Sequence, residues 1–177
     1  EIFFSRSLIE TSRALNKKHS VFSNGLTVDY YLVDDKLILI GGYINQQFTD
    51  NNHRNIYIGR IAWIINDWIV LNATNKIMRA NNVSSFYFCP RKFDTYTLSL
   101  YKNIAIFNDN ILLKPEIGGG IQSINELNKE YYYGKIFLKG NISKKISLNF
   151  STMYSTALSE YGSYGLFFGN LSLKYNF

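Results

Sequence analysis

The sequence predicts an all-β chain, an antiparallel transmembrane β-barrel of about ten strands, and three observations lead there. Counting back from Phe177, the odd positions Tyr175, Leu173, Leu171, Gly169 and Phe167 are apolar or small, while Asn176, Lys174, Ser172 and Asn170 are polar. A period of two over that length suits a strand with lipid on one side and water on the other, and a tilted strand crosses a bilayer in about 9–11 residues. Composition is the second observation: fourteen Tyr and thirteen Phe, twelve Gly and only two Pro, with polar positions filled largely by Asn, Ser and Thr. That mixture fits aromatic girdles around a polar-lined barrel. Third, no uninterrupted apolar run of about 18–20 residues occurs, so a membrane helix is not available. The longest candidates, residues 37–43 and 61–71, are too short or are broken by Asn66 and Asp67. A bilayer location therefore requires a closed barrel with every backbone group paired. A soluble sheet over a core also alternates, and the composition weighs against it.

The elements follow in order. Residues 2–14 form the poorest strand, since Leu8, Ile9 and Leu15 equally suit a short helix after Ser7. Residues 21–33 carry Leu26, Val28, Tyr30 and Leu32 on one face and Thr27, Asp29 and Tyr31 on the other. Asp34 and Asp35 turn the chain into a strand over 37–48. After a polar loop at 49–55, residues 56–65 set Tyr57, Ile61, Trp63 and Ile65 against Ile58, Arg60, Ala62 and Ile64. Residues 68–79 follow a turn at Asn66 and Asp67, and 92–101 place Tyr96, Leu98 and Leu100 opposite Thr95, Thr97 and Ser99. Strands over 112–123, 131–140 and 145–156 precede the last one. Short turns at 34–35, 66–67, 102–103 and 141–143 alternate with longer connections at 49–55, 81–85, 124–129 and 157–161, a rhythm expected of tight turns on one rim and longer loops on the other. No second domain or internal repeat is visible.

The net charge of +6 and the pI near 9.3 come from Lys and Arg scattered singly, without a nucleic-acid-binding motif, so no nucleic acid partner is expected. Catalysis finds little support: His19 and His53 are far apart, no metal-ligand spacing or phosphate loop occurs, and no cofactor or metal is expected. The single cysteine, Cys89, excludes an internal disulfide and reads as an inert thiol. The chain begins at Glu1, so either a signal peptide has been removed or the numbered residues end something longer; the second is the expectation.

Two runs carry chemistry of their own. In Thr49-Asp50-Asn51-Asn52-His53-Arg54, the Asp and Asn side chains bond nearby backbone and tolerate left-handed conformations, and Arg54 is expected to close the turn on Asp50. In residues 86–93, Pro90 lacks an N–H and belongs at a strand entrance, a bulge or a loop folded inward, with a structural turn expected and a constricting loop as the alternative.

The same runs resemble a family. Residues 42–54 are similar to the "S/T-D-x-N-x-R" pattern, through Asp50, Asn52 and Arg54, and residues 86–96 to the "Y-F-S-P-x-x-F-x-x-Y" element, through Tyr87, Pro90 and Phe93, in the barrels of tetratricopeptide-linked exopolysaccharide export porins. Cys89 stands where Ser is usual and Asn51 replaces the common Gly. The resemblance implies the carboxyl-terminal part of a sixteen-stranded barrel preceded by periplasmic helical repeats, whereas by strand count alone about ten strands can also close as a complete barrel.

The expectation is therefore a non-enzymatic outer-membrane pore exporting a secreted polymer, an exopolysaccharide. A small lipid A-modifying barrel enzyme and a structural or adhesive barrel are the alternatives. Expected partners are outer-membrane lipid and lipopolysaccharide, the exported polysaccharide, upstream tetratricopeptide repeats, and the barrel-assembly machinery, with Tyr175 and Phe177 as its signal. By alternation, the lumen-facing candidates are Asp29, Tyr31, Arg60, Lys114, Glu116, Lys135, Lys139, Asn149, Asn170 and Lys174. A one-residue slip would exchange the faces. The terminal strand and 145–156 are the best determined, with Ile146, Leu148, Phe150 and Tyr154 opposite Ser147, Asn149, Ser151 and Ser155.

Overall fold

Alternation of apolar and polar residues gives each segment one face for each solvent, and the chain resolves it as a single antiparallel sheet. The computed structural model describes residues 1–8, 16–33, 36–107, 110–141, 146–159 and 162–175. In chain order the strands are β1 (Ile2–Leu8), β2 (Ser20–Leu32), β3 (Leu37–Phe48), β4 (His53–Asn66), β5 (Ile69–Ala80), β6 (Lys92–Lys102), β7 (Ile104–Ile106), β8 (Ile111–Ile124), β9 (Leu127–Asn141), β10 (Ile146–Ser159) and β11 (Gly162–Tyr175). Each pairs with its sequence neighbour, except that β8 lies between β6 and β9 with the short β7 also against it. The outermost strands β1 and β11 are the two edges of an open sheet.

The strands pack against their neighbours in the sheet, and among the described residues no second layer covers either face. A sandwich is thereby excluded, because its inner faces would interlock across the gap. The face carrying Ala62, Val70, Met78 and Phe93 is nonetheless buried, by the curl of the sheet and by a loop described below. The opposite face carries Tyr57, Ile61, Trp63, Tyr96, Leu98, Leu100 and Ile117, all well exposed. These are the outer and inner faces from here on, with the buried one inner.

Register explains how close neighbours fit. Gly118, Gly119 and Gly120 of β8 lie opposite Tyr133, Tyr132 and Tyr131 of β9. A Cβ on Gly118 would stand 2.5 Å from the Tyr133 ring, which lies across the space left by the missing side chain. A Cβ on Gly120 would overlap the carbonyl oxygen of Tyr96 in β6. The glycines thus let rings and backbone approach where any other residue would hold them apart.

Several expected boundaries moved. The reversal expected at 102–103 does not occur there, because Asn103 only interrupts the strand: its N–H bonds the Trp68 carbonyl at 2.8 Å and the chain continues as β7. The true reversal follows Phe107, whose φ of 55° is left-handed. The long connection expected at 124–129 is a two-residue turn, Asn125 and Glu126, both at positive φ, which matches strand twist. The one expected at 157–161 is taken up by β10 and β11, which pair out to Ser159 and Gly162. The loop at 49–55 shrinks to 49–52, with Asn51 at φ 62°. The loop expected at 81–85 grows instead to 81–91. The helix alternative for Ile9 and Leu15, the Asp34-Asp35 turn, residues 142–143 and Phe177 lie outside the described residues.

Gly120→Ala is expected to destabilise the fold by about 1–3 kcal/mol, as overpacking does. Gly134→Ala, where nothing lies within 4 Å, should be tolerated. Retention of the heat-sensitive, fast-migrating folded band on gel electrophoresis across a urea series checks both.

Candidate functional site

Backbone pairing places each predicted lumen residue on a definite face. Asp29 lies opposite Ile40 and that residue opposite Arg60, while Tyr31 reaches Ala62 through Ile38. Glu116 sits between Tyr101 and Lys135, Lys114 opposite Phe137, and Lys139 between Leu112 and Asn149. Asn170 pairs with Ser151 and Lys174 with Ser147. Partners across a ladder share a face, so all ten residues lie on the inner face, with Ala62 and Ser99. In the same register Tyr175 falls on the outer face opposite Ile146. The inner face also holds residues that alternation had not singled out. Lys76 is opposite Ile58 and Thr95, Lys129 is opposite Gln122, and Tyr131 and Tyr133 face Gly120 and Gly118. The signal was there, since Asn72, Thr74, Lys76 and Met78 are alternate residues of one strand.

Charge on this face is one-sided. Among the described strand residues, Arg54, Arg60, Lys76, Lys114, Lys129, Lys135, Lys139 and Lys174 stand against Asp29 and Glu116, with Glu1 opposite Thr27 at the edge. Hydroxyl and amide groups fill the intervals. The Arg60 guanidinium donates to Asn72 Oδ1 from Nε at 3.0 Å and from Nη2 at 2.7 Å, and Asn72 Nδ2 donates to Ser99 Oγ at 3.5 Å. The Tyr133 hydroxyl donates to Glu116 at 2.8 Å, Tyr131 bonds Thr97, and the Lys114 ammonium lies 3.5 Å from the centre of the Tyr101 ring. The Arg79–Asp94 ion pair belongs to the outer face, with Asp94 opposite Ile77.

The two motif segments, more than thirty residues apart, meet at one rim. Residues 81–91 fold inward over β2 to β5, so that Tyr87 and Cys89 pack on Val21 and Phe48 beside Ala80. Pro90 is fully buried and Cys89 is only 2% exposed, which makes this an inward-folded loop and not the simple turn expected. Its latch is polar. The Tyr87 hydroxyl donates to the Asp50 carboxylate, 3.0 Å from each oxygen, and the ring stacks on Phe48 at 4.4 Å. Asn52, 3% exposed, donates to the Asn82 carbonyl at 2.9 Å and accepts from the Asn82 N–H at 3.1 Å.

Arg54 does not close its turn on Asp50. It donates to Gln46 Oε1 and to the Phe88 carbonyl, each at 2.7 Å, and lies over the Phe48 ring. Asp50 is taken by Tyr87, so the arginine anchors the loop instead. Phe93, at the start of β6, meets Phe88 edge-on at 5.2 Å. Between loop and wall lies a cavity of about 410 Å³ lined by Val21, Phe48, Arg54, Ile56, Lys76, Met78, Tyr87, Phe88 and Phe93.

Burial also sets the chemistry of the latch. It pushes the Cys89 thiol up, against the pull of the Arg54 guanidinium, and a protonated buried thiol is a poor nucleophile. It raises Tyr87 to about 12, with the Asp50 carboxylate adding to the rise against the Asn52 hydrogen bond.

The fold defines a class: an all-β antiparallel sheet of the kind that closes membrane barrels, with strands long enough to cross hydrocarbon. It is similar in structure to a protein described as a bacterial polysaccharide outer membrane secretin, with a TM-score of 0.82 at 10% identity, across 99% of this chain. The chain spans 63% of the length of that protein. No family model matches the sequence, and no curated protein matches it significantly.

Tyr87→Ala should release the loop and raise the rate at which Cys89 reacts with a maleimide by about tenfold or more, as burial and its raised pKa are lost. From neutral pH up to about 10, the ordinary value of a tyrosine, the latch should be indifferent to pH. The undocked phenol ionises first, so docking weakens only as pH climbs from there towards the docked value of about 12. The pH profile of Cys89 labelling, corrected for intrinsic thiol ionisation, measures this.

Proposed function

We propose that this chain builds the wall of a bacterial outer-membrane pore through which a secreted polymer, an exopolysaccharide, leaves the cell. One observation carries the reading: a single sheet that is apolar and exposed on one face, polar and basic on the other. Leu98 is 57% exposed, Trp63 52% and Leu171 68%, and neighbouring outer positions are of the same kind. Burying one such side chain is worth about 1.5–3 kcal/mol, so ten of them in water would forgo more than the roughly 5–15 kcal/mol by which a domain is stable. Hydrocarbon removes that cost. The inner face then lines the water-filled path, with Asp29, Tyr31, Arg60, Lys114, Glu116, Lys135, Lys139, Asn149, Asn170 and Lys174 as lumen residues. The fold of the secretin is the second support.

A sugar chain moves through such a path when every contact is weak and immediately replaced. The hydroxyls of Thr95, Thr97 and Tyr131 supply bonds worth about 1 kcal/mol each, spaced along strands at roughly 7 Å between successive inner residues. The inward loop at 81–91 narrows the path at one rim, held by Asp50, Asn52 and Arg54 acting on Tyr87, Phe88 and Asn82. Lipid and lipopolysaccharide contact the outer face. Tyr175, on the outer face, addresses the barrel-assembly machinery, and upstream helical repeats deliver polymer from the periplasm.

Reconstituted in a planar bilayer, the protein should conduct ions in discrete steps and leave lipid A mass unchanged; a silent bilayer with modified lipid A overturns the proposal in favour of an enzyme. Leu98→Lys should cost about 2–4 kcal/mol by placing an ammonium in hydrocarbon, whereas Thr97→Lys, one residue along, should fold almost normally. Equal tolerance of the two would remove the lipid-facing assignment. Folding titrations into vesicles give both values.

A further inference from the structure

We infer that the cavity beneath the inward loop is a binding station for the carboxylate of an acidic sugar unit, and that the polymer passing this wall is polyanionic. The inference rests on the pore reading and adds the charge of its cargo. Lys76 and Arg54 both line the cavity, with Phe48, Phe88 and Phe93 as aromatic walls. Arg54 is oriented by Gln46 and the Phe88 carbonyl, while Lys76 has no hydrogen-bond acceptor among the described residues.

Two cations facing one partly apolar space repel each other, and such an arrangement invites an anion. The nearby carboxylates are committed elsewhere: Asp50 to Tyr87, Asp94 to Arg79 on the outer face, and Glu126 to Lys92 at the rim. A cavity of about 410 Å³ lies within the range of small-ligand sites, roughly 300–1,000 Å³. Sugar rings present apolar faces to aromatic walls, and a carboxylate would answer Lys76.

Below this station the cations continue. Lys76 lies opposite Ile58, two residues from Arg60 in β4, so the next positive charge is about 7 Å further along the strand direction. Lys114, Lys135, Lys139 and Lys174 carry the series towards the other rim. An acidic chain can therefore exchange one cation for the next, whereas a neutral chain gains nothing from the series and a cationic one is repelled.

The test is current blockade of the reconstituted pore by oligogalacturonate, compared with its methyl ester, which has the same backbone without charge. At 0.1 M salt the charged oligomer should block at about tenfold lower concentration, and at 1 M, where the screening length falls to about 3 Å, the difference should shrink. Lys76→Gln should reduce the preference several-fold and Lys76→Arg should keep it, with both variants first shown to fold and insert, and each blockade taken relative to the variant's own open current. Equal blockade by the two oligomers, or a preference unchanged in Lys76→Gln, overturns the inference and leaves the pore intact. Absence of any conductance overturns the pore reading, and this inference with it.

Discussion

Everything in this molecule depends on strand pairing that leaves one face of a single sheet apolar and exposed and gathers polar and basic groups on the other. A sheet satisfies its backbone groups laterally, strand by strand, so both faces are left to side chains. Here one layer does this without a partner layer: Leu98 and Ile117 project outward while Ser99 and Gly118 project inward from the same ladder. Remove the alternation and neither face has a solvent. The edges at β1 and β11 are unpaired on their outer sides in the described sheet, and unpaired backbone groups are costly in hydrocarbon.

Within that constraint the inner face is specialised by height. At the rim holding the loop, Ile56, Met78, Phe93 and Ile124 form an apolar layer with Ile44 and Ile58 beside it, on which the inward loop can sit. Further along, the face turns polar through Asn72, Ser99 and Arg60, and its bulk is set by tyrosine rings laid over glycines. The loop packs as part of the wall: Tyr87 stacks on Phe48, Phe88 meets Phe93 edge-on, and its polar contacts end on the turn at 49–52 and on Arg54. Loop and wall are thus one packing unit, joined where the turn at 49–52 meets Tyr87 and Asn82.

Much of the strand order was legible because a two-residue period is a local property. Alternation set Asp29, Arg60, Lys135 and Lys174 on one side of their own strands, and pairing brings those sides together as a common face of the sheet. The connections were less legible. Asn103 looked like a turn because Lys-Asn punctuates strands, yet pairing of Ile104–Ile106 with β8 overrides it. Residues 124–129 looked like a loop because they are polar, while a two-residue turn at Asn125 and Glu126 lets the strands run on to the rim, where polar side chains meet water.

The amino-acid sequence alone determined an all-β chain, its strands and their two faces, since those follow from neighbouring residues having opposite solubility. Only the tertiary structure decided that Tyr87 reaches Asp50 across 37 residues, that Arg54 serves Phe88 and not its own turn, and that Lys76 opens into a cavity. Such pairings depend on sheet curvature, which brings the rims of β2, β3 and β5 together over one loop. Curvature is a sum over many strands, and no local pattern carries it.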